Sequence, residues 1–374
     1  MFSSTIPSLK IGSFTATVPI VQGGMGVAIS GSGLASAVAN EGGIGVISAI
    51  GLGFNEPDFK THYRGANKRA LKKEIRKARK KTDGLIGVNI MVAASDYNNL
   101  LEGAVEENID IIFVGAGLPL KFPDAIPPER LRTMSTKIIP IVSSAKAARL
   151  IFNFWQKRFN HIPDGVVVEG PEAGGHLGFK REQIEDPAYE LENLVSEVVN
   201  TIQPYEQLFG KHLPVIAAGG IYTGTDIYRM IELGAHGVQM GTRFVATHEC
   251  DADIRFKKAY IQAGVDDIEI IQSPVGLPGR AIRNSFLEDV SSGIKKPFQC
   301  PWKCLRTCDY QKAPYCIALA LFQAKDGKLQ NGFAFAGSNV WRVKEIVSVQ
   351  KLMASLVEEY ENAILEHQCT EECV

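Results

Sequence analysis

The chain has 374 residues, 45% of them hydrophobic and 22% charged, a balance that excludes fibrous, collagen-like and largely disordered classes. Forty Lys and Arg against forty-one Asp and Glu leave a formal net charge of −1, so no global field draws the chain to nucleic acid or to an anionic membrane. The first twelve residues have no basic start followed by an apolar stretch, and no uncharged apolar run approaches membrane-spanning length, so a cytoplasmic protein without a membrane partner is expected.

In chain order, short β-branched runs ending in glycine or a small polar residue fall at 19–21, 45–48, 86–92, 109–114, 138–142, 165–169, 215–218 and 237–240. Helix-period apolar patterns fill nearly every interval between them. Eight continuous apolar strands alternating with helices within about 240 residues predict an α/β fold, a (β/α)8 barrel over 1–250. A doubly wound sheet is the alternative on pattern alone. From 251 to 374 the character changes to Pro-rich stretches, a cysteine cluster and a final helical pattern at 347–365, which predicts an appended, mostly helical segment packing on or over the barrel mouth.

Residues directly after barrel strands carry the chemistry in such a fold. Here they include Gln22-Gly23-Gly24-Met25, Ser48, Asn89, Gly115, Ser143-Ser144 and Glu169. Gly219-Gly220 and Gly241-Thr242 follow the seventh and eighth strands, where exposed backbone N–H groups predict a phosphate-bearing cofactor. After the sixth strand, Gly174-Gly175-His176 places an imidazole at the mouth. With an unperturbed pKa of about 6.5, His176 suits proton abstraction near neutrality; a loop histidine capping a carbonyl is the plainer alternative. His62, His161 and His212 lie outside the pattern and read as surface or structural.

The ordered motifs Gln22-Gly23-Gly24-Met25-Gly26, Gly87-Val88-Asn89, Glu172-Ala173-Gly174-Gly175-His176, Ala217-Ala218-Gly219-Gly220-Ile221 and Gln239-Met240-Gly241-Thr242-Arg243-Phe244 resemble the nitronate monooxygenase family, formerly 2-nitropropane dioxygenases. The resemblance spans roughly 18–250. It implies an FMN-dependent TIM barrel that oxidises alkyl nitronates, and nitroalkanes, with O2 to carbonyl compounds and nitrite. Gly23, Gly24, Met25, Asn89, Ser144, Glu169, Gly174, Gly175, Gly219, Gly220, Gly241 and Thr242 would form the FMN site, with His176 as the catalytic base and a homodimer as the implied assembly. Flavin-dependent enoyl-acyl-carrier-protein reductases share these motifs, and Glu169 ahead of Gly170 is similar to their pattern. Their chemistry, with NAD(P)H and an acyl thioester as partners, is the alternative; a flavin-bearing redox sensor is a third.

Two features lie outside the motifs. Residues 67–82 carry nine Lys and Arg against Glu74 alone, while Leu71, Ile75 and Ala78 form one apolar stripe; this predicts a helix with a solvated basic face, or a docking surface for an acidic carrier or coenzyme A phosphates. Cys300, Cys304, Cys308 and Cys316, spaced C-x3-C-x3-C-x7-C, offer four thiolates for Zn or an iron–sulfur cluster, or are reduced structural thiols.

Overall fold

A computed structural model describes residues 6–300 and 302–371. Eight parallel strands form the centre: β1 (Ile20–Gln22), β2 (Gly45–Ser48), β3 (Ile86–Met91), β4 (Ile111–Gly115), β5 (Lys137–Val142), β6 (Val166–Glu169), β7 (Val215–Ala218) and β8 (Gly237–Met240). They pair in the order β1-β8-β7-β6-β5-β4-β3-β2. A parallel bridge between Val21 and Ile44, flanked by the Gln22 and Ile44 amides donating to the Ile44 and Ile20 carbonyls at 2.9 Å each, closes the sheet on itself. The fold is therefore a TIM barrel, and every strand lies within two residues of its expected position.

Val21, Val46, Phe113, Ile139, Val167 and Ile216 point into the barrel and pack as one buried cluster. Leu9, Ile11 and Ala16 belong to the same cluster. They come from a short antiparallel hairpin, Leu9–Ile11 with Phe14–Ala16, that plugs the bottom of the barrel. Burial of these apolar side chains, at roughly 25 cal/mol per Å2, fills the interior, so the cavity lies at the opposite, C-terminal face.

The outer helices are α1 (Ser32–Asn40), α2 (Phe59–Arg79), α3 (Tyr97–Glu106), α4 (Pro128–Thr133), α5 (Ala145–Phe159), α6 (Leu191–Phe209), α7 (Gly224–Glu232) and α8 (Val349–Glu371). Helix α8 packs along α7 and against α1, with Tyr360 edge-on to Tyr228 at 5.8 Å. It approaches so closely that a Cβ on Gly224 would stand 2.3 Å from the Leu356 carbonyl oxygen. The last helix thus completes the ring around the barrel. The chain between β8 and α8 makes a long excursion over the barrel mouth, with helices at Ile254–Gln262, Ser285–Ser291 and Ile317–Lys325 and a hairpin of β9 (Ile268–Gln272) and β10 (Pro278–Ile282).

The basic helix forms as α2, and most of its charges are answered within the chain. Lys68 and Lys72 reach Glu106 of α3 at 2.7 and 3.0 Å, Arg76 reaches Glu107 at 2.7 Å, and Lys73 reaches Glu56 at 2.7 Å. Lys77 pairs with Glu74, and Arg79 with Asp110, each at 2.6 Å. Among the described residues no helix is long and apolar enough to cross a membrane.

Candidate active site

A cavity of about 320 Å3 opens at the C-terminal mouth. Its floor is the set of strand ends: Gly23, Gly24 and Met25 after β1, Asn89 on β3 and Glu169 at the end of β6 all line it. Gly219, Gly220, Gly241 and Thr242, after β7 and β8, line one side. Gly174, Gly175 and His176 line another. Ser144 does not: its hydroxyl accepts from the Ala147 amide at 3.3 Å and caps the start of α5, a role its type fulfils wherever a helix begins.

The glycines are there for space and backbone conformation. A Cβ on Gly24 would stand 2.3 Å from the Asn89 Cβ, and one on Gly174 would stand 2.5 Å from the Ala336 backbone. Gly219 and Gly220 have φ of +93° and +83°, the left-handed region that side chains disfavour.

His176 sits on a two-residue strand, Gly175–His176, paired antiparallel with Gly279 and Arg280 of β10. The barrel loop and the excursion are therefore one small sheet. Arg280 reinforces it: its buried guanidinium donates to the Ala173 carbonyl at 3.0 Å and to the Pro171 carbonyl. His176 Nε2 lies 2.8 Å from the Ser273 hydroxyl, which also accepts from the Val275 amide at 3.3 Å. The ring of Phe335 meets the imidazole edge-on at 5.1 Å. Burial lowers the His176 pKa to about 4, so the ring is neutral at pH 7. Burial also pushes the Glu169 carboxyl up to about 7.

The excursion supplies residues that no motif in the sequence marks. Ser338 is on the cavity wall, and its buried hydroxyl has no hydrogen-bond partner. Beside it, Asn339 donates to the Gly220 carbonyl at 2.6 Å and the Gly337 amide to the Thr242 hydroxyl at 3.0 Å. Phe54, Phe59, Met91, Trp302, Leu305 and Ile317 give the same cavity an apolar stretch of wall. Phe59 lies 4.7 Å from Phe54 and 5.0 Å from Trp302. Among the described residues no Lys or Arg lines the cavity, whereas the carboxyls of Asp96, Glu169 and Glu172 do.

The model of the nitronate monooxygenase family matches residues 7–110 and 96–359. The chain belongs to the nitronate monooxygenase family. A probable nitronate monooxygenase of Staphylococcus aureus is 30% identical over 305 residues, 73% of this chain and 77% of that protein. A (3aS,4S,5R,7aS)-5-hydroxy-7a-methyl-1-oxo-octahydro-1H-indene-4-carboxyl-CoA dehydrogenase of Mycobacterium tuberculosis is 30% identical over 277 residues. That match covers 74% of this chain and 66% of the relative, so the chain spans just under two thirds of its length. Among solved structures, FabK of Thermotoga maritima superposes with a TM-score of 0.72 at 29% identity, over 94% of this chain and 95% of its own.

The residues present fit FMN, the cofactor that the family resemblance implies. The strand-end glycines leave a cradle that any Cβ would fill. The partnerless Ser338 hydroxyl beside the left-handed Gly219-Gly220 turn suits a phosphate.

Cys304 and Cys316 also line the cavity. Among the described residues no group of three or more His, Cys, Asp or Glu is placed to hold a metal ion, so a tetrahedral Zn site is not formed here. All four clustered cysteines are free thiols.

Proposed function

We propose that the protein oxidises nitroalkanes, through their nitronates, to carbonyl compounds and nitrite with O2. The observation that carries this reading is the His176 imidazole, kept neutral by burial and fixed by Ser273 at a glycine-floored cavity. A neutral imidazole is the form that accepts a proton. The α-carbon of a nitroalkane is acidic because the nitro group delocalises the resulting charge, so the C–H bond breaks as the proton passes to the His176 ring.

The substrate enters as the uncharged nitroalkane. An anion brought in from water would meet carboxyls and no cation on the wall, and burying an unpaired charge costs several kcal/mol, on the order of the penalties seen for buried ions. Once the proton has moved, the imidazolium and the nitronate form a pair within the site, and each offsets the other's desolvation. Bound FMN supplies the two-electron redox chemistry. Gly24, Gly174, Gly219 and Gly220 would leave room for it, Asn89 and Glu169 line the cavity floor, and Gly241, Thr242 and Ser338 would be the side that holds its phosphate. Nitrite release and O2 uptake on adding nitroethane to the FMN-loaded protein test the proposal; absence of nitrite refutes it.

A second reading is favoured by the apolar stretch of the cavity wall. Phe54, Phe59, Trp302 and Leu305 suit a hydrocarbon body larger than a short nitroalkane, and the Mycobacterium tuberculosis relative is named as a carboxyl-CoA dehydrogenase. Under this reading His176 exchanges the proton α to an acyl thioester carbonyl. Flavin reduction by NAD(P)H, followed by reoxidation with an enoyl thioester, identifies it.

A further inference from the structure

Cys300, Cys304, Cys308 and Cys316 stand where the excursion docks on the barrel. The Cys304 carbonyl accepts from the Ser95 amide at 3.0 Å, the Arg306 amide donates to Ala93 at 2.9 Å, and Leu305 bridges Ala94. Each of the four thiols lies within electrostatic reach of the other three. The neighbourhood is apolar: Cys304 and Cys308 pack against a cluster of Leu305, Tyr315, Ile317 and Phe333. Cys316 is the N-cap residue of the nine-residue helix Ile317–Lys325.

This is a gathering of four sulfurs too open for one ion. A tetrahedral Zn2+ brings its four ligands onto a single centre, and among the described residues no group of three or more His, Cys, Asp or Glu is placed to hold one metal ion. In a four-iron cluster each thiolate binds a different iron, so the sulfurs stand further apart while all four still surround one body. Apolar surroundings are among the features that set the potential of such clusters. Ordinary free thiols have no need of a fourfold gathering.

We infer that these four cysteines hold a [4Fe–4S] cluster on the wall of the flavin cavity. Its chemistry is the transfer of single electrons, so two successive transfers from an external one-electron carrier match one two-electron reduction of the flavin. Cys304 and Cys316, which line the cavity, face the flavin side. The inference is independent of whether a nitroalkane or an acyl thioester is turned over, because it concerns what the thiols bind.

The test is iron and acid-labile sulfide analysis of the full-length protein purified and reconstituted anaerobically, with electron paramagnetic resonance after dithionite reduction. Roughly four irons and four sulfides per chain, with a cluster signal, are expected. Cys304→Ser and Cys316→Ser should each lose most of the iron while keeping FMN, which reports an intact barrel; Cys369→Ser, at an exposed thiol outside the group, should keep both. Wild-type protein with FMN but neither iron nor sulfide overturns the inference, as does zinc without sulfide. The wild-type stoichiometry decides the matter even where a serine variant fails to fold.

Discussion

His176 Nε2 and the Ser273 hydroxyl lie 2.8 Å apart although 97 residues separate them in the chain. The imidazole belongs to a barrel loop and the hydroxyl to the turn of the β9–β10 hairpin, so the geometry of the base depends on the excursion docking correctly. Removing the hydroxyl with Ser273→Ala leaves the ring free to rotate in its cavity. With a neutral hydrogen bond worth about 1 kcal/mol, kcat for a nitroalkane should fall roughly fivefold at unchanged FMN content. His176→Asn should cost at least about 100-fold, also with FMN retained.

The low pKa of His176 moves the acid limb of the pH profile. An unperturbed histidine base loses activity below about pH 6.5; here kcat/KM for a neutral nitroalkane should hold down to roughly pH 5 and fall towards the His176 pKa of about 4. Stability runs the same way. Between pH 4 and 6.5 the unfolded state binds the proton and the folded state does not, so the His176 contribution to stability declines as pH falls through that window. A kinetic limb centred at 6.5 contradicts the account.

Glu169 has the opposite sign. Its pKa is raised to about 7 by burial, so between pH 4.5 and 7 the folded state holds a proton that the unfolded state releases, and stability is lost as pH rises through that range. Glu169→Gln removes the titration. In thermal melts of the flavin-free protein the variant should gain several degrees over wild type at pH 8 and no more than about one degree at pH 4.5; equal gains at both values refute the assignment.

Arg280 acts on the base through the backbone. Its guanidinium holds the Pro171 and Ala173 carbonyls on the loop that carries His176. Arg280→Met leaves both acceptors buried without a donor, at about 1–3 kcal/mol each. The melting temperature should drop, and turnover should fall more than FMN binding, as read by kcat and by flavin stoichiometry.

Gly219 tests the cofactor cradle. At φ of +93°, and with a new Cβ placed 2.9 Å from the Gly170 carbonyl oxygen, Gly219→Ala forces the turn to move. Strain of about 1–3 kcal/mol should appear as at least a roughly fivefold weaker FMN affinity in fluorescence titration, while a substitution at the open Gly210 leaves it unchanged.

The barrel was legible because its strands, buried on both faces, are unbroken apolar runs such as Val166 to Val168 and Val215 to Ala218, each closed by a small or polar residue that starts a loop. The floor was legible for the same reason: Gly24, Gly174, Gly219 and Gly220 mark places where backbone must come close. Ser273, Ser338 and Asn339 were not legible. Their role exists only once the excursion folds back across the mouth, and nothing in the local pattern around 273 or 338 encodes that contact. Ser144 shows the converse, since a serine after a strand suits a ligand and a helix cap equally, and the Ala147 amide takes it. The basic face of α2 looked open to an acidic partner because Glu102, Glu106 and Glu107 lie a strand and a helix later in the chain, where α3 packs beside it.

The measurement closest to the central claim is anaerobic flavin absorbance after mixing with neutral nitroethane, for wild type and for His176→Asn. The account predicts bleaching of the wild-type flavin and none in the FMN-loaded variant, because the proton has no acceptor there. A wild-type flavin untouched by nitroethane but rapidly bleached by NADH or NADPH contradicts it and assigns the cavity to acyl thioester chemistry.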